Sequence, residues 1–180
     1  MRVITGKARG MRLSTLPGDA VRPTGEKVKE AVFSMLQFDI EGRKVLDLFA
    51  GCGQMGIEAL SRGAECATFV DSSQESIKVI KENLAFTKLS DLATVEKRDF
   101  RFFLGSTAEQ FDIAFLDPPY HEGFYEDALA LLTPRMSRFG IIVCEHPTDV
   151  SVPETVDDFA TIKTNRYGKV CISVYRRKEV

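Results

Sequence analysis

The feature that most restricts the fold of this 180-residue chain is an apolar run that breaks directly into glycines. Val45-Leu46-Asp47-Leu48-Phe49 reads as a buried strand, and Ala50-Gly51-Cys52-Gly53-Gln54-Met55-Gly56 follows it without a linker. The spacing Gly51-x-Gly53-x-x-Gly56 between a strand and a helix marks the turn where a parallel α/β sheet meets a nucleotide-like ligand. Glycine there lets the backbone approach the ligand closely. Asp71 stands twenty residues after Gly51, where a carboxylate can take ribose hydroxyls.

Asp47 separates the chain from a plain dinucleotide binder. It places a carboxylate at the end of a strand that is otherwise apolar. A buried negative charge suits a ligand carrying positive charge better than it suits a pyrophosphate. S-adenosylmethionine, with an ammonium, a sulfonium and a ribose diol, is such a ligand. Phe49 and Ser72, beside the loop and beside Asp71, join the expected cofactor set.

From Lys44 onward, strand-length and helical patterns alternate. The periods predict strands at 45–49, 66–71, 92–96, 111–117 and 141–145, and helices at 54–62 and 124–132. A capping box, Ser72-x-x-Glu75, opens a further helix with Ile77, Ile80 and Leu84 on its inner face. Such repeats require a mostly parallel sheet with helices on both faces. The tail changes period. Residues 159–164 and 170–176 alternate around a turn at 165–168, so the sheet should end in an antiparallel hairpin. Ahead of these units Thr24 is the expected cap of a helix carrying Val28, Ala31, Val32, Met35 and Leu36. Residues 1–23 read as a small basic appendage, a hairpin about 7–10, and 24–180 as the main domain.

Net charge is −2, yet it is unevenly spread. Residues 1–30 hold seven Lys or Arg against three acids, and 161–180 hold six against one. Arg2, Lys7, Arg9 and Arg12 meet no acid within the first fifteen residues. Phosphate neutralisation needs local rather than total positive charge, so the asymmetry points to a polyanion; solvated chain ends are the plain alternative. No apolar run reaches the length of a membrane span, and the opening residues lack a secretory h-region. Cys52, Cys66, Cys144 and Cys171 show no C-x-x-C spacing. They read as small apolar residues in a reducing cytoplasm, with no metal site.

Asp117-Pro118-Pro119-Tyr120 carries the most specific chemistry. An exocyclic amine on a base is a poor nucleophile because its lone pair is delocalised into the ring. The Asp117 carboxylate and the Pro118 carbonyl, both accepting from that amine, would favour a pyramidal nitrogen. The prolines fix φ and remove competing donors, and Tyr120 offers a flat face for an extruded base. A rigid turn after a buried strand is the bland alternative. Asp99 could accept the adenine amino group while Phe100 packs on the ring, although Asp99 would equally cap a helix at 100–104. His121 reads as a turn residue, and His146 as the end of a strand.

These residues together resemble the RsmD-type family, bacterial methyltransferases acting on guanine N2 in small-subunit (16S) ribosomal RNA. The similarity runs from Arg2-Val3-Ile4-Thr5-Gly6-Lys7-Ala8-Arg9-Gly10 through Val21-Arg22-Pro23-Thr24 and Asp47-Leu48-Phe49-Ala50-Gly51-Cys52-Gly53. It continues with Leu116-Asp117-Pro118-Pro119-Tyr120 and Tyr167-Gly168-Lys169. The resemblance implies a Rossmann-like class I methyltransferase fold with a seven-stranded sheet. It also implies an S-adenosylmethionine site and a catalytic Asp-Pro-Pro-Tyr loop. Asp71 stands where the family often has Glu, which shortens the reach to the ribose.

The expected enzyme is therefore a cytoplasmic, monomeric, metal-free N-methyltransferase acting on rRNA or the assembling small subunit. Asp117, Pro118, Pro119 and Tyr120 would be catalytic. Asp47, Phe49, Gly51, Gly53, Asp71, Ser72, Asp99 and Phe100 would hold the cofactor. Arg2, Lys7, Arg9, Arg12, Arg22, Thr24 and Lys169 would meet the RNA. The competitors are a DNA adenine-N6 methyltransferase, an NAD-dependent oxidoreductase and a non-catalytic RNA-binding module.

Overall fold

A computed structural model describes residues 1–18, 23–120 and 122–179, leaving aside the side chains of residues 23 and 24. The chain alternates as the apolar periods require. Helix α1 (Pro23–Met35) precedes strand β1 (Lys44–Leu48), then α2 (Gln54–Ser61), β2 (Cys66–Asp71) and α3 (Gln74–Thr87). Next come β3 (Ala93–Lys97), α4 (Phe100–Ser106), β4 (Phe111–Leu116), α5 (Phe124–Leu132) and β5 (Met136–Pro147). Three strands close the chain: β6 (Thr155–Val156), β7 (Phe159–Tyr167) and β8 (Val170–Arg177).

The sheet order is β3-β2-β1-β4-β5-β8-β7-β6. Strands β1 to β5 pair in parallel, and β8 and β7 extend the sheet in antiparallel. The order reverses between β1 and β4, where a doubly wound sheet opens a crevice beyond its strand ends. Eight strands replace the expected seven. The additional one, β6, is two residues long and pairs only with β7, too short to leave a period in the sequence.

Alternation along the strands feeds two cores. Val45, Phe69, Ile113 and Val143 face one way, against α1, α2 and α3. Leu46, Val70, Leu116 and Cys144 face the other, against α4 and α5. The helices thus lie on both faces because the central strands β1, β2, β4 and β5 are buried on both.

Two expected caps shift. Helix α1 begins at Pro23, so Thr24 lies inside its first turn; proline suits that position because its missing N–H has no helical partner there. Helix α3 is capped by Ser73, not Ser72, and its hydroxyl accepts from the Ser76 N–H at 3.4 Å. The Asp71 carboxylate takes the Ser73 N–H at 2.9 Å, which keeps the chain turning for one residue more.

The opening segment, read as an appendage, is packed into the first core through Val3, Ala8 and Leu13. Three apolar residues five apart give no helix or strand period, which is why the sequence hides this. Within the segment Arg2 and Arg12 form an antiparallel bridge, flanked by the Val3 N–H donating to the Met11 carbonyl and the Leu13 N–H donating to the Met1 carbonyl, each at 2.9 Å. Docking is tight. A Cβ on Gly6, whose φ is +92°, would lie 1.9 Å from the Ser61 carbonyl oxygen. Ser61 Oγ accepts the Ala8 N–H (2.9 Å) and donates to the Thr5 carbonyl (2.7 Å).

Candidate active site

The glycine turn is built from below. Asp47 is 4% exposed, and its Oδ2 accepts the Gly56 N–H at 2.9 Å, tying the end of β1 to the first turn of α2. Burial pushes the Asp47 carboxyl up to about 7; the Gly56 bond opposes this shift and the Asp71 charge adds to it. Asp47 and Gly53 lie behind the loop rather than on the wall of the cleft above it. Phe49, Gly51 and Gly53 have φ of 62°, 59° and 83°. That left-handed region is easy for glycine and uncommon for a bulky side chain such as Phe49.

The three glycines have different reasons to be glycine. A Cβ on Gly51 would meet nothing within 4 Å, so this part of the loop is open to the cleft. A Cβ on Gly56 would come within 2.4 Å of the Phe69 ring, so Gly56 serves helix-on-strand packing. Gly53 caps α2 in the left-handed conformation. Asp71 closes the turn: its Oδ2 accepts the Gly51 N–H at 2.9 Å.

Above the turn lies an open cleft of about 690 Å³ at the C-terminal ends of the parallel strands. The structure brings Phe49, Gly51, Asp71, Ser72, Asp99 and Phe100 together on its wall. Asp117, Pro118, Pro119 and Tyr120 line the same cleft from the end of β4. Asp99 also caps α4, accepting the Arg101 N–H at 2.8 Å, so the capping role and the cleft position coexist. Phe100 packs against Phe49 at 4.9 Å and Phe124 at 5.4 Å, forming an aromatic corner beside Asp99. The Arg101 guanidinium lies 4.5 Å from the Phe100 ring centroid. Tyr120 Oη donates to Glu145 Oε1 at 3.1 Å.

The part of the cleft beside the glycine turn, with Asp71, Asp99, an aromatic corner and an open glycine backbone, fits S-adenosylmethionine. Carboxylates suit a ribose diol and an amino group, and apolar rings suit adenine. The volume falls in the usual range for small-molecule sites. Among the described residues no cluster of His, Cys, Asp and Glu could hold a metal ion. No described helix is long and apolar enough to cross a membrane.

Arg2, Lys7, Arg9, Arg12 and Lys169 are exposed and stand off the cleft wall. Arg2 and Arg12 face each other across the bridge, a like-charge pairing that disfavours the bridge unless an anion answers it. Neither they nor Lys7 and Arg9 form an ion pair among the described residues. Arg22, the Thr24 side chain and His121 lie outside the described residues. His146 is buried, its Nε2 2.9 Å from Ser173 Oγ, which accounts for it as a strand-end residue.

Several site residues gave no signal in the sequence. Asn83 is 2% exposed and bridges two loops: its amide donates to the Cys52 carbonyl in the glycine turn (2.9 Å) and to the Ser14 carbonyl (3.0 Å). Its Oδ1 accepts the Ser14 N–H at 2.8 Å. Lys29 lines the cleft while its Nζ donates to the Arg2 carbonyl at 2.7 Å. Met1, Thr15 and Leu16 complete that side, so the opening segment forms part of the wall. Glu58, joined to Arg62 four residues on, was the one buried partner with a readable spacing.

A family model described as Conserved hypothetical protein 95 matches residues 1–176. The chain is 39% identical over 183 residues to YlbH of Bacillus subtilis, covering 99% of this chain and all of that one; YlbH is named as a candidate rRNA methyltransferase. Ribosomal RNA small subunit methyltransferase D of Haemophilus influenzae is 40% identical over 135 residues, 73% of this chain and 70% of its own. The solved Escherichia coli protein yhhF, titled a candidate methyltransferase, superposes with a TM-score of 0.86 at 30% identity, covering 98% of this chain and 97% of that one. Loop, cleft and Asp-Pro-Pro-Tyr element thus sit in a chain matched almost end to end, and it belongs to the Conserved hypothetical protein 95 family of RsmD-type methyltransferases.

Proposed function

We propose that this protein transfers a methyl group from S-adenosylmethionine to the exocyclic N2 amine of a guanine in small-subunit (16S) ribosomal RNA. One observation carries the reading: the glycine turn with Asp71, at the end of β2, and the Asp117-to-Tyr120 loop, at the end of β4, line a single cleft and come from the two strands that flank β1. A methyl donor held by the first and a base held by the second meet between them. The names of the relatives support an rRNA substrate.

Bound S-adenosylmethionine supplies a methyl group activated by its positive sulfur. Asp71 would hold the ribose, the backbone at Gly51 the methionine portion, and Asp99 with Phe100 the adenine. Asp47 acts from beneath by fixing the Gly56 N–H and with it the start of α2. Asp117 and the Pro118 carbonyl accept from the target amine and orient its lone pair, and Asp117 stands where the released proton can go. Alignment and proximity provide most of the rate in such a displacement. Tyr120 supports the extruded base, and Arg2, Lys7, Arg9, Arg12 and Lys169 grip phosphates outside the cleft. This reading places the protein in the cytoplasm, acting as a monomer on rRNA or the assembling small subunit.

Labelled S-adenosylmethionine, with small subunits lacking the modification, tests it. The label should appear in an N2-methylguanine of the small-subunit RNA. Asp117→Ala should cut turnover at least about a hundredfold while leaving cofactor affinity nearly intact. Label in DNA adenine, or none in RNA, would overturn the assignment.

A further inference from the structure

An Asp-Pro-Pro-Tyr loop can hold any exocyclic amine, so it does not by itself separate guanine from adenine. The ring nitrogen beside the amine does. Guanine N1 carries a hydrogen and donates; adenine N1 is a bare acceptor. A discriminating site therefore needs an acceptor next to the Asp117 carboxylate.

Strand register supplies one. Strands β4 and β5 are parallel neighbours with Leu116 opposite Cys144. The next residues are Asp117, just past the end of β4, and Glu145, inside β5; they continue a register in which parallel neighbours lie about 4.8 Å apart in the hydrogen-bonding direction. Both line the cleft. Glu145 is anchored twice: its carbonyl accepts the Tyr125 hydroxyl at 3.2 Å, and its carboxylate accepts the Tyr120 hydroxyl at 3.1 Å. The second bond joins it to the residue on which the base would stack.

We propose that Glu145 is a specificity-determining residue whose carboxylate accepts the N1–H of the target guanine while Asp117 and Pro118 hold the adjacent N2 amine. This rests on the methyl-transfer reading above. A carboxylate accepts and does not donate. A base with a bare N1 would face it acceptor to acceptor, which costs more than a merely absent bond. Guanine satisfies both acidic side chains with adjacent donors on one edge.

The test uses a small-subunit RNA fragment carrying, at the mapped target position, either guanine or 2-aminopurine, which keeps the amine but has a bare N1. The native enzyme should favour guanine about ten- to a hundredfold in kcat/KM. Glu145→Gln can donate an amide hydrogen to a bare N1, so it should shrink that preference at least about tenfold. S-adenosylhomocysteine affinity should stay unchanged. A residue that only held Tyr120 in place would lower both rates alike, and an unchanged ratio in Glu145→Gln overturns the proposal. Tyr120→Phe should behave in that second way. Equal rates for the two bases in the native enzyme would overturn the proposal whether or not the variant folds. A native enzyme that methylates no RNA would overturn the function and this role together.

Discussion

Removing the Glu58 carboxylate should be among the most damaging changes that leave every cleft-lining side chain in place. Glu58 is 0% exposed and serves four partners. Its oxygens accept the Ile4 N–H at 2.9 Å, the Thr5 N–H at 3.1 Å and Arg62 Nε at 2.9 Å. Lys29 Nζ lies 3.8 Å away, with its side chain 1% exposed. Glu58→Ala leaves the Lys29 ammonium buried without its chief counter-charge and two amides without their acceptor. Breaking a buried pair from one side costs about 3–5 kcal/mol. Each orphaned buried amide adds about 1–3 kcal/mol if it stays dry. The second cost is capped, because the opening segment can lift away and hydrate its amides. Arg62 is partly exposed and finds water, so it adds little.

The expected loss is therefore about 3–5 kcal/mol, a large share of a typical domain's stability. Urea titration at neutral pH measures it, and hydrogen exchange at Ile4 and Thr5 shows whether the segment has lifted. The pH dependence gives an independent check. Burial already lowers the Lys29 pKa below 10.5, and Glu58 is the chief group opposing that shift. Without Glu58 the folded pKa falls further, so the unfolded chain binds more protons over a wider window below 10.5. Stability rises with pH wherever the unfolded state binds more protons. The loss should shrink as pH is raised from neutral toward 10.5, and Lys29→Met in the Glu58→Ala background should recover part of it. A loss under about 1 kcal/mol, with Ile4 and Thr5 still protected from exchange, would refute the reasoning.

Asp47→Asn keeps an acceptor for the Gly56 N–H but removes a carboxyl held near 7 against 3.8 in the unfolded chain. The folded state binds the extra proton between those values, so the native carboxyl lowers stability as pH rises through that window. The variant should be the more stable protein at pH 8, by at most about 4 kcal/mol, with the difference gone below pH 4. Equal urea midpoints at pH 8 would contradict it. Changing Arg2, Lys7, Arg9 and Arg12 to Ala should weaken RNA binding and flatten the log–log salt slope by about three. Cofactor affinity should hold, since Val3, Ala8 and Leu13 do the packing; an unchanged salt slope would show those four side chains to be merely solvated.

Local patterns carried most of the fold. The period of α5 reproduced its boundaries, Phe124–Leu132, and strand–helix alternation fixed the parallel half of the sheet, because these depend on neighbours within one element. The glycine turn was readable for the same reason: Gly51, Gly53 and Asp71 act through one local turn. What stayed hidden depends on residues that meet only after folding. Asn83 joins Ser14 across 69 positions, and Glu58 joins Ile4 across 54. Nothing near Asn83 distinguishes it from a surface residue, and the i,i+4 pairing of Glu58 with Arg62 reads like a surface pair and does not announce Ile4. Glu145 belongs to the same class. Read along the chain it merely ends a strand, and only the β4–β5 register sets it beside Asp117. The opening segment shows the consequence most clearly. Its charges are local and suggested RNA, while its role as cleft wall comes from Glu58, Ser61 and Asn83 on two distant helices. The loop and the glycine turn can therefore be read from short motifs, whereas the groups that hold the cleft wall, and the proposed base-reading Glu145, are set by sheet register and long-range docking. Relatives sharing the Asp-Pro-Pro-Tyr loop but differing at the position of Glu145 should accordingly share the reaction and differ in the base they accept.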